Sequence, residues 1–134
     1  RTFDTGTLHP TGVASAGAGP THVVTGPGHR AYVVDTRGDA LISFHLRPAP
    51  HRVGHTRVAG TPYGIAIDAA RGRLWITETA RNRLSEWRLS GGEPSFVRAY
   101  PTVRQPNTVA VDTRTGRVFV AGAVRGQLEL IDPR

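Results

Sequence analysis

Carboxylate and amide side chains occur close together in the stretch WITETARNRL. There Glu78 and Asn82 are four residues apart, and oxygens of these two kinds are the ligands that hard cations such as Ca²⁺ and Mg²⁺ prefer. Asp35 and Asp39 occupy the equivalent places after an earlier hydrophobic run. A turn-forming role is the alternative, because Asn and Asp tolerate turn conformations and hydrogen-bond nearby backbone. The spacing leaves both interpretations open.

Histidines are the other metal-ligating residues, and all six lie within the first 55 positions. His51 and His55 are four apart, so they would share one face of a strand, as a transition-metal site requires. Simple exposure on an outer strand is the alternative. No serine has a Gly-x-Ser-x-Gly context, and the chain has no cysteine. The sequence therefore predicts neither a hydrolase nucleophile elbow nor a thiolate metal site.

An internal repeat indicates which elements position these side chains. Residues 62–84, PYGIAIDAARGRLWITETARNRL, recur without a gap as PNTVAVDTRTGRVFVAGAVRGQL at 106–128, and residues 19–46 form a third copy. In each copy, short β-branched and aromatic runs alternate with polar or Gly-bearing turns, which predicts antiparallel strands and no helix. Asp68 and Asp112 precede such turns and are expected to cap them. Four strands repeating at this period are typical of β-propeller blades.

We therefore predict an all-β fold, a partial β-propeller of about three four-stranded antiparallel blades or half of a six-bladed ring. The blades are placed at 19–60, 61–104 and 105–132, with 1–18 as an outer strand of a preceding or closing blade. Large aromatic residues recur at one position of the second strand, where blades pack face to face. These residues, Tyr32, Trp75 and Phe119, are predicted to fill the gaps between neighbouring blades.

Two arrangements could complete the propeller. Thr11–Ser15 could supply the missing outer strand to a blade of a second copy, or the chain could be part of a longer propeller. The absence of Met and the abrupt end after QLELID favour the longer chain. In both cases the expected partners are other propeller blades, because bare faces and strand edges promote association.

The pattern P-x-G-I-A-x-D…G-x-L-W-I-T-E…N-R-L, together with AYVVDTRGDALISF in the first copy, resembles YVTN/NHL-type β-propeller repeats. The second blade is similar to repeats of streptogramin lyases and of the SMP-30/gluconolactonase group. The resemblance covers residues 19–132. For the lactonase-like relatives it implies a divalent cation, Ca²⁺ or Mg²⁺, at the channel mouth as a cofactor. Here its ligands would come from Glu78, Asn82 and Asp35, with Asn107 and His22 nearby. A lyase site combines His and Glu, whereas position 80 here is Ala.

The mouth of the channel is the predicted functional site. In a propeller the innermost strand begins beside the loop that joins strands two and three, and functional groups collect there. His22, Tyr63, Asn107 and Arg81 are accordingly the candidate ligand-binding residues, and no residue is assigned as catalytic. We expect a non-enzymatic scaffold that binds a small molecule or a protein at the mouth. The alternative is a metal-dependent propeller enzyme, either a lactonase-like hydrolase or a streptogramin lyase-like enzyme.

Charge and hydropathy bear on whether the protein binds nucleic acid or spans a membrane. All 17 basic residues are Arg and the net charge is +7, which raises nucleic-acid binding as a hypothesis. The arginines are spread evenly along the chain and never form a run, so nucleic-acid binding is not expected. No apolar stretch approaches the ~18 residues of a membrane helix. We expect an extracellular or periplasmic location.

Overall fold

The structure is a computed structural model that describes residues 1–133, and these residues form strands joined by turns. One 3-10 turn, Thr79–Arg81, is present among them. No helix of the described residues is long and apolar enough to cross a membrane. The strands are β1 Thr2–Phe3, β2 Pro10–Gly12, β3 Pro20–Gly26, β4 Arg30–Asp35, β5 Ala40–His45, β6 His51–Arg57, β7 Pro62–Asp68, β8 Arg73–Glu78, β9 Arg83–Arg88, β10 Ser95–Pro101, β11 Pro106–Val111, β12 Val118–Gly122 and β13 Gln127–Ile131.

These strands form three consecutive antiparallel sheets. The first sheet has the order β3-β4-β5-β6, the second β7-β8-β9-β10 and the third β11-β12-β13, while β1 and β2 form a separate pair. The first strand of each sheet contacts the first strand of the next, β3 with β7 and β7 with β11. The first strands are therefore innermost and the sheets radiate outward, so the chain folds as part of a β-propeller. The predicted fold class is confirmed.

The hairpin turns between the first and second strands are fixed by aspartates. The Asp68 side chain accepts a hydrogen bond from the backbone N–H of Arg71 at 3.1 Å. In the next blade, Asp112 accepts one from the N–H of Arg114 at 3.0 Å. An acceptor at this position satisfies backbone donors that the tight turn would otherwise leave unpaired. The predicted capping role of both aspartates is confirmed.

Two hydrophobic clusters join the three sheets. Tyr32 of the first sheet packs with Ile65, Leu74 and Ile76 of the second sheet and is 3% exposed. Trp75 of the second sheet belongs to the cluster that contains Val109, Val118 and Val120 of the third sheet, and it is 2% exposed. The prediction that these two aromatic residues fill the gaps between blades is confirmed.

Phe119 differs from this prediction. It occupies the same position of the third sheet, opposite Leu130 on β13, but it is only partly buried. Its face of the sheet has no neighbouring sheet among the described residues. A neighbouring sheet buries the equivalent rings of Tyr32 and Trp75, whereas no sheet of residues 1–133 covers Phe119.

Neighbouring blades are also joined by a repeated hydroxyl hydrogen bond. Thr36 follows β4 and donates to the backbone oxygen of Pro62 at 2.7 Å. Thr79 follows β8 and donates to the backbone oxygen of Pro106 at the same distance. Each bond ties the end of a second strand to the start of the next blade's inner strand. It therefore fixes the two blades relative to each other where the channel opens.

The first prediction tests the packing between blades. Trp75→Ala should lower the free energy of unfolding by about 3–5 kcal/mol, because it opens a cavity between two sheets. Phe119→Ala is the matched control, since it removes an aromatic ring from the same repeat position on an uncovered face. Its cost should be about 1 kcal/mol. Urea unfolding, followed by far-ultraviolet circular dichroism of the backbone, measures both losses. Equal losses would contradict the assignment of Trp75 to the gap.

Candidate functional site

The loops that the sequence predicts to form the functional site lie at one edge of the three sheets. Because successive strands are antiparallel, the turns after β4, β8 and β12 lie at the same edge as the segments that enter β7 and β11. We call this edge the mouth face. It comprises residues 36–39, 79–82 and 123–126, the connections 58–61 and 102–105, and the first residues of β3, β7 and β11.

The inner strands are irregular where they begin at the mouth face. In β3 the pairing shifts between Pro20 and His22, and in β11 it shifts between Pro106 and Thr108. A similar shift occurs at the start of β7. Such irregularities redirect side chains and are common beside binding sites. Here they change the direction of the side chains that directly follow each proline.

The rings of His22 and Tyr63, two of the candidate ligand-binding residues, are in contact. Their ring centroids are 5.1 Å apart at an interplanar angle of 61°, an edge-to-face arrangement. Both side chains are exposed. A favourable contact of this type holds two amphipathic rings in a fixed orientation at the surface. The pair presents an imidazole and a phenol to solvent on adjacent blades.

Asn107 lies on the next inner strand, directly beside β7. A Cβ added to Gly64 would lie 2.8 Å from the Asn107 backbone oxygen and 3.1 Å from the Thr77 hydroxyl. Only glycine allows this close approach of the two inner strands. The Gly64 N–H donates to the Thr77 hydroxyl at 2.8 Å. The packing of β11 against β7 thus fixes the backbone of Asn107 beside Gly64.

Arg81 lies in the 3-10 turn and is exposed. Its aliphatic stem covers Gly60, since a Cβ built there would lie 2.7 Å from Arg81 Cδ. Gly60 has φ +109°, a conformation that favours glycine. The stem is therefore anchored on the preceding connection, while the guanidinium remains available to solvent.

Asp35, a predicted metal ligand, is buried and caps backbone groups. Its carboxylate accepts hydrogen bonds from the N–H groups of Ala18 at 2.8 Å, Gly19 at 2.7 Å and Gly38 at 3.1 Å. Burial by itself raises the pKa of Asp35, but these three hydrogen bonds and the charge of Arg37 outweigh it and hold the pKa below its ordinary value. Asp35 ties the segment entering β3 to the turn after β4.

Glu78 and Asn82, the other two predicted metal ligands, also have internal partners. Glu78 is 1% exposed and forms an ion pair with Arg83. Asn82 adopts the left-handed conformation with φ 50°, and its side-chain oxygen accepts a hydrogen bond from the N–H of Gln105 at 2.8 Å. Asp39 makes the same bond one blade earlier, to the N–H of Thr61 at 3.0 Å. The turn-forming interpretation of this position explains these contacts.

The metal hypothesis therefore has competing structural roles for each of its ligands. Among residues 1–133, no set of three His, Asp or Glu side chains is arranged to hold a metal ion. Binding a cation at Glu78 would require the carboxylate to leave Arg83. A cation held by Asp35, Glu78 and Asn82 stays a prediction from the sequence.

The histidines have different neighbours from those that the spacing predicted. His51 lies opposite His45 across the β5–β6 pair, with ring centroids 5.6 Å apart. The backbone N–H of His55 donates instead to Glu93 of the next blade at 3.1 Å. A shift in pairing within β5 and β6 separates the environments of the two residues. These histidines lie on an outer strand and outside the mouth face.

Glu86 is a buried charged residue that sequence reasoning missed. It is 3% exposed and pairs with Arg73 at 2.7 Å and with Arg98 at 2.9 Å, while the Tyr100 hydroxyl donates to it at 3.1 Å. Burial, followed by the bond to Glu86, raises the pKa of Tyr100 to about 12. The available signal was an acidic residue on the packing face of β9, opposite Trp75. Its partners come from two other strands, which no local spacing reveals.

Comparisons with known proteins support the fold and leave the activity open. No family model and no curated protein sequence matches this chain. Among solved structures, the chain is similar to a candidate 6-phosphogluconolactonase from Bacteroides fragilis with a TM-score of 0.80 and 15% identity, covering 90% of this chain and 36% of that one. It is similar to the Cps50 (Swd1) β-propeller domain of Myceliophteria thermophila, with a TM-score of 0.80 and 12% identity, covering 98% and 46%. It is also similar to virginiamycin B lyase from Staphylococcus aureus, with a TM-score of 0.61 and 13% identity, covering 90% and 43%. The chain thus spans less than half the length of these structures.

The internal partners of Asp35, Glu78 and Asn82 yield a second prediction. Millimolar Ca²⁺, Mg²⁺ or Mn²⁺ should not raise the melting temperature, because each proposed ligand already has an internal partner. A resident cation would stabilise the folded state by mass action. Differential scanning fluorimetry measures the shift, with EDTA-treated protein as the baseline. Stabilisation by one of these cations that Glu78→Gln abolishes would contradict this prediction and support the predicted site.

Acid sensitivity is the third prediction, and it follows from the pKa of Asp35. A carboxyl whose pKa is lower in the folded state stabilises the fold above its unfolded pKa, and this contribution is lost as pH falls through the folded pKa. The ordinary value is 3.8. Wild type should therefore lose stability relative to Asp35→Asn as pH falls below about 4.

Thermal unfolding across an acid pH series measures this difference. Asp132→Asn is the control, because Asp132 is exposed and lies 3.7 Å from Arg117, its exposed ion-pair partner. That variant should track wild type at every pH. A constant gap between Asp35→Asn and wild type down to strongly acid pH would refute the linkage.

Proposed function

We propose that this chain is a β-propeller scaffold whose mouth face binds anionic groups, carboxylates or phosphates, on a ligand or partner protein. One observation carries the proposal: the exposed charges of the mouth face are all positive. The exposed side chains are Arg37, Arg57, Arg81, Arg104 and Arg125. They lie in or directly beside the loops that surround the start of the inner strands.

The acidic residues of the mouth face do not offset this charge. Asp35 and Glu78 are buried, and Asp39 is half-buried. Each accepts a hydrogen bond or ion pair from within the protein, as described above. Exposed acids occur at the opposite edge, where Glu93 and Asp132 lie. A surface whose exposed groups share one sign attracts ligands of the other sign and raises their rate of encounter.

His22, Tyr63 and Asn107 supply the uncharged part of the proposed site. The edge-to-face pair of His22 and Tyr63 offers an aromatic surface with polar tips, and the Asn107 amide both donates and accepts hydrogen bonds. Arginine guanidinium groups recognise carboxylates and phosphates in a bidentate geometry. Together these groups suit a ligand with an anionic group and an adjoining planar or apolar part.

The metal-dependent hydrolase or lyase is the weaker proposal. It rests on the resemblance of the repeats and on the fold, and folds of this kind support many unrelated functions. Its oxygen ligands already serve the turns and the ion pair with Arg83. A scaffold that binds through arginine requires no rearrangement of these contacts.

The fourth prediction tests the charge of the mouth face. Arg81→Ala should weaken binding of a fluorescein-labelled hexaglutamate peptide by about two- to fivefold at low salt, because an exposed ion pair contributes up to about 1 kcal/mol. Fluorescence anisotropy measures the affinity. The wild-type affinity should fall as salt is added, since the charges are exposed and screened.

Arg88→Ala is the matched control, because Arg88 is an exposed arginine at the end of β9 on the opposite edge. It should leave the affinity unchanged. Equal loss in the two variants would show that only the net charge matters and would contradict a site at the mouth face. A marked preference for a single-stranded oligonucleotide over the peptide would contradict the proposed ligand class.

A further inference from the structure

A shift in strand pairing places the two histidines of the outer strand β6 on opposite faces of the first sheet. His51 pairs with His45 of β5, and His55 pairs with Ile42. Positions 45 and 42 lie on opposite faces of β5, because side chains alternate along a strand. Val53 is the extra residue that causes the shift, as in a β-bulge. The neighbour of His51 is therefore His45 of the adjacent strand and not His55 of its own.

His45 and His51 lie side by side where the connection between β5 and β6 begins and ends. Their ring centroids are 5.6 Å apart, at an interplanar angle of 36°. Two imidazoles that bind one zinc ion have centroids about 5 Å apart, because each Zn–N bond is about 2 Å long and the ligands are tetrahedral. His51 is exposed and His45 is half-buried, so a small movement of the exposed ring brings the pair to this spacing.

Backbone carbonyl groups hold both rings in the same tautomer. Nδ1 of His45 lies 2.9 Å from the backbone oxygen of Arg47, and Nδ1 of His51 lies 3.0 Å from that of Ala49. A carbonyl oxygen can only accept, so each Nδ1 carries a proton and donates it. The N–H of Arg47 also lies 3.4 Å from Nδ1 of His45, and the shorter contact to the carbonyl decides the tautomer. Nε2 of both rings keeps its lone pair.

This tautomer is the one in which histidine binds metal through Nε2. In metal sites the hydrogen bond from the other ring nitrogen fixes the orientation of the imidazole and makes the ligating nitrogen more basic. Arg47 and Ala49, whose carbonyls accept these bonds, both belong to the connection 46–50. One short segment therefore orients both rings.

The residues around the pair leave it as a site with two protein ligands. His29 contacts His45 edge to face, but their centroids are 6.5 Å apart, which exceeds the spacing for a shared ion. Arg30 lies beside His45 on β4, and its guanidinium donates to the backbone oxygen of Gly91 at 2.7 Å. That positive charge is thus directed toward the second blade. As stated above for residues 1–133, no third His, Asp or Glu completes a metal-binding set, so water would fill the remaining positions.

We propose that His45 and His51 bind a divalent transition-metal ion, such as Zn²⁺, through their Nε2 atoms. Imidazole suits Zn²⁺, Ni²⁺ and Cu²⁺, whereas Ca²⁺ and Mg²⁺ prefer oxygen ligands. The ion links β5 to β6, the outer strand of the first sheet, and so stabilises that hairpin. The site lies at the edge opposite the mouth face and is independent of the proposed anion binding.

Isothermal titration calorimetry with Zn²⁺ at neutral pH tests the site on untagged protein from which metal has been removed. Wild type should bind one Zn²⁺ per chain. His45→Gln and His51→Gln should each weaken the affinity by about tenfold or more, since losing a ligand costs at least as much as losing its outer hydrogen bond. His55→Gln is the matched control, because it removes a histidine of the same strand from the opposite face. It should bind like wild type, and Mg²⁺ should not replace Zn²⁺.

A second measurement identifies the atoms that bind. In long-range ¹H–¹⁵N spectra, Zn²⁺ should shift the Nε2 resonances of His45 and His51 more than their Nδ1 resonances. His51 is exposed, so a lost affinity in His51→Gln with an unchanged far-ultraviolet circular dichroism spectrum reports on the site and not on folding. Equal loss in all three glutamine variants, loss in His55→Gln alone, binding through Nδ1, or no Zn²⁺ binding by wild type would each overturn the proposal.

Discussion

The structure depends on the apolar packing of each sheet against its neighbour. The second sheet is apolar on both sides. Its Ile65 packs with Tyr32 of the first sheet, and its Trp75 packs with Val118 of the third sheet. A twisted sheet meets its neighbour along a wedge, and a large ring in the middle of the second strand fills it. Removing apolar area from water is the dominant favourable term in folding. The stacking of the sheets brings the mouth loops of neighbouring blades to one edge.

The mouth loops are fixed by acidic residues that point inward. A buried carboxylate is costly unless it is paired or hydrogen-bonded, and Asp35 and Glu78 meet this condition with backbone N–H groups and with Arg83. The same contacts remove negative charge from the surface that the loops present. The exposed charged side chains in and beside these loops are arginines, so the mouth face is positive. Loop stability and surface charge thus have one cause.

The sequence predicted the features that repeat and missed those that depend on partners. The period and the turn residues gave the sheets, the capping aspartates and the burial of Tyr32 and Trp75, because each of these is determined within one repeat and its neighbour. The sequence also nominated His22 and Tyr63 for one site, and their rings are in contact. The partners of Glu78, Asn82 and Asp35 were not predictable, since a carboxylate after a strand suits a cation and a backbone cap equally well. Glu86 was missed for a related reason: its three partners come from two other strands.

Phe119 shows why a repeat pattern cannot by itself predict burial. Leu41, Leu84 and Leu128 are the same residue at the same repeat position, yet the first two are buried and the third is largely exposed. The difference lies outside the repeat, in whether another sheet among residues 1–133 covers the position. An apolar side chain at this position has a favourable environment only when a blade covers it, and the polar links that orient such a blade elsewhere are missing at Ala123 and Gly126. The third blade therefore keeps the apolar residues of the interblade contact and lacks the two side chains that form its repeated polar links at the mouth face.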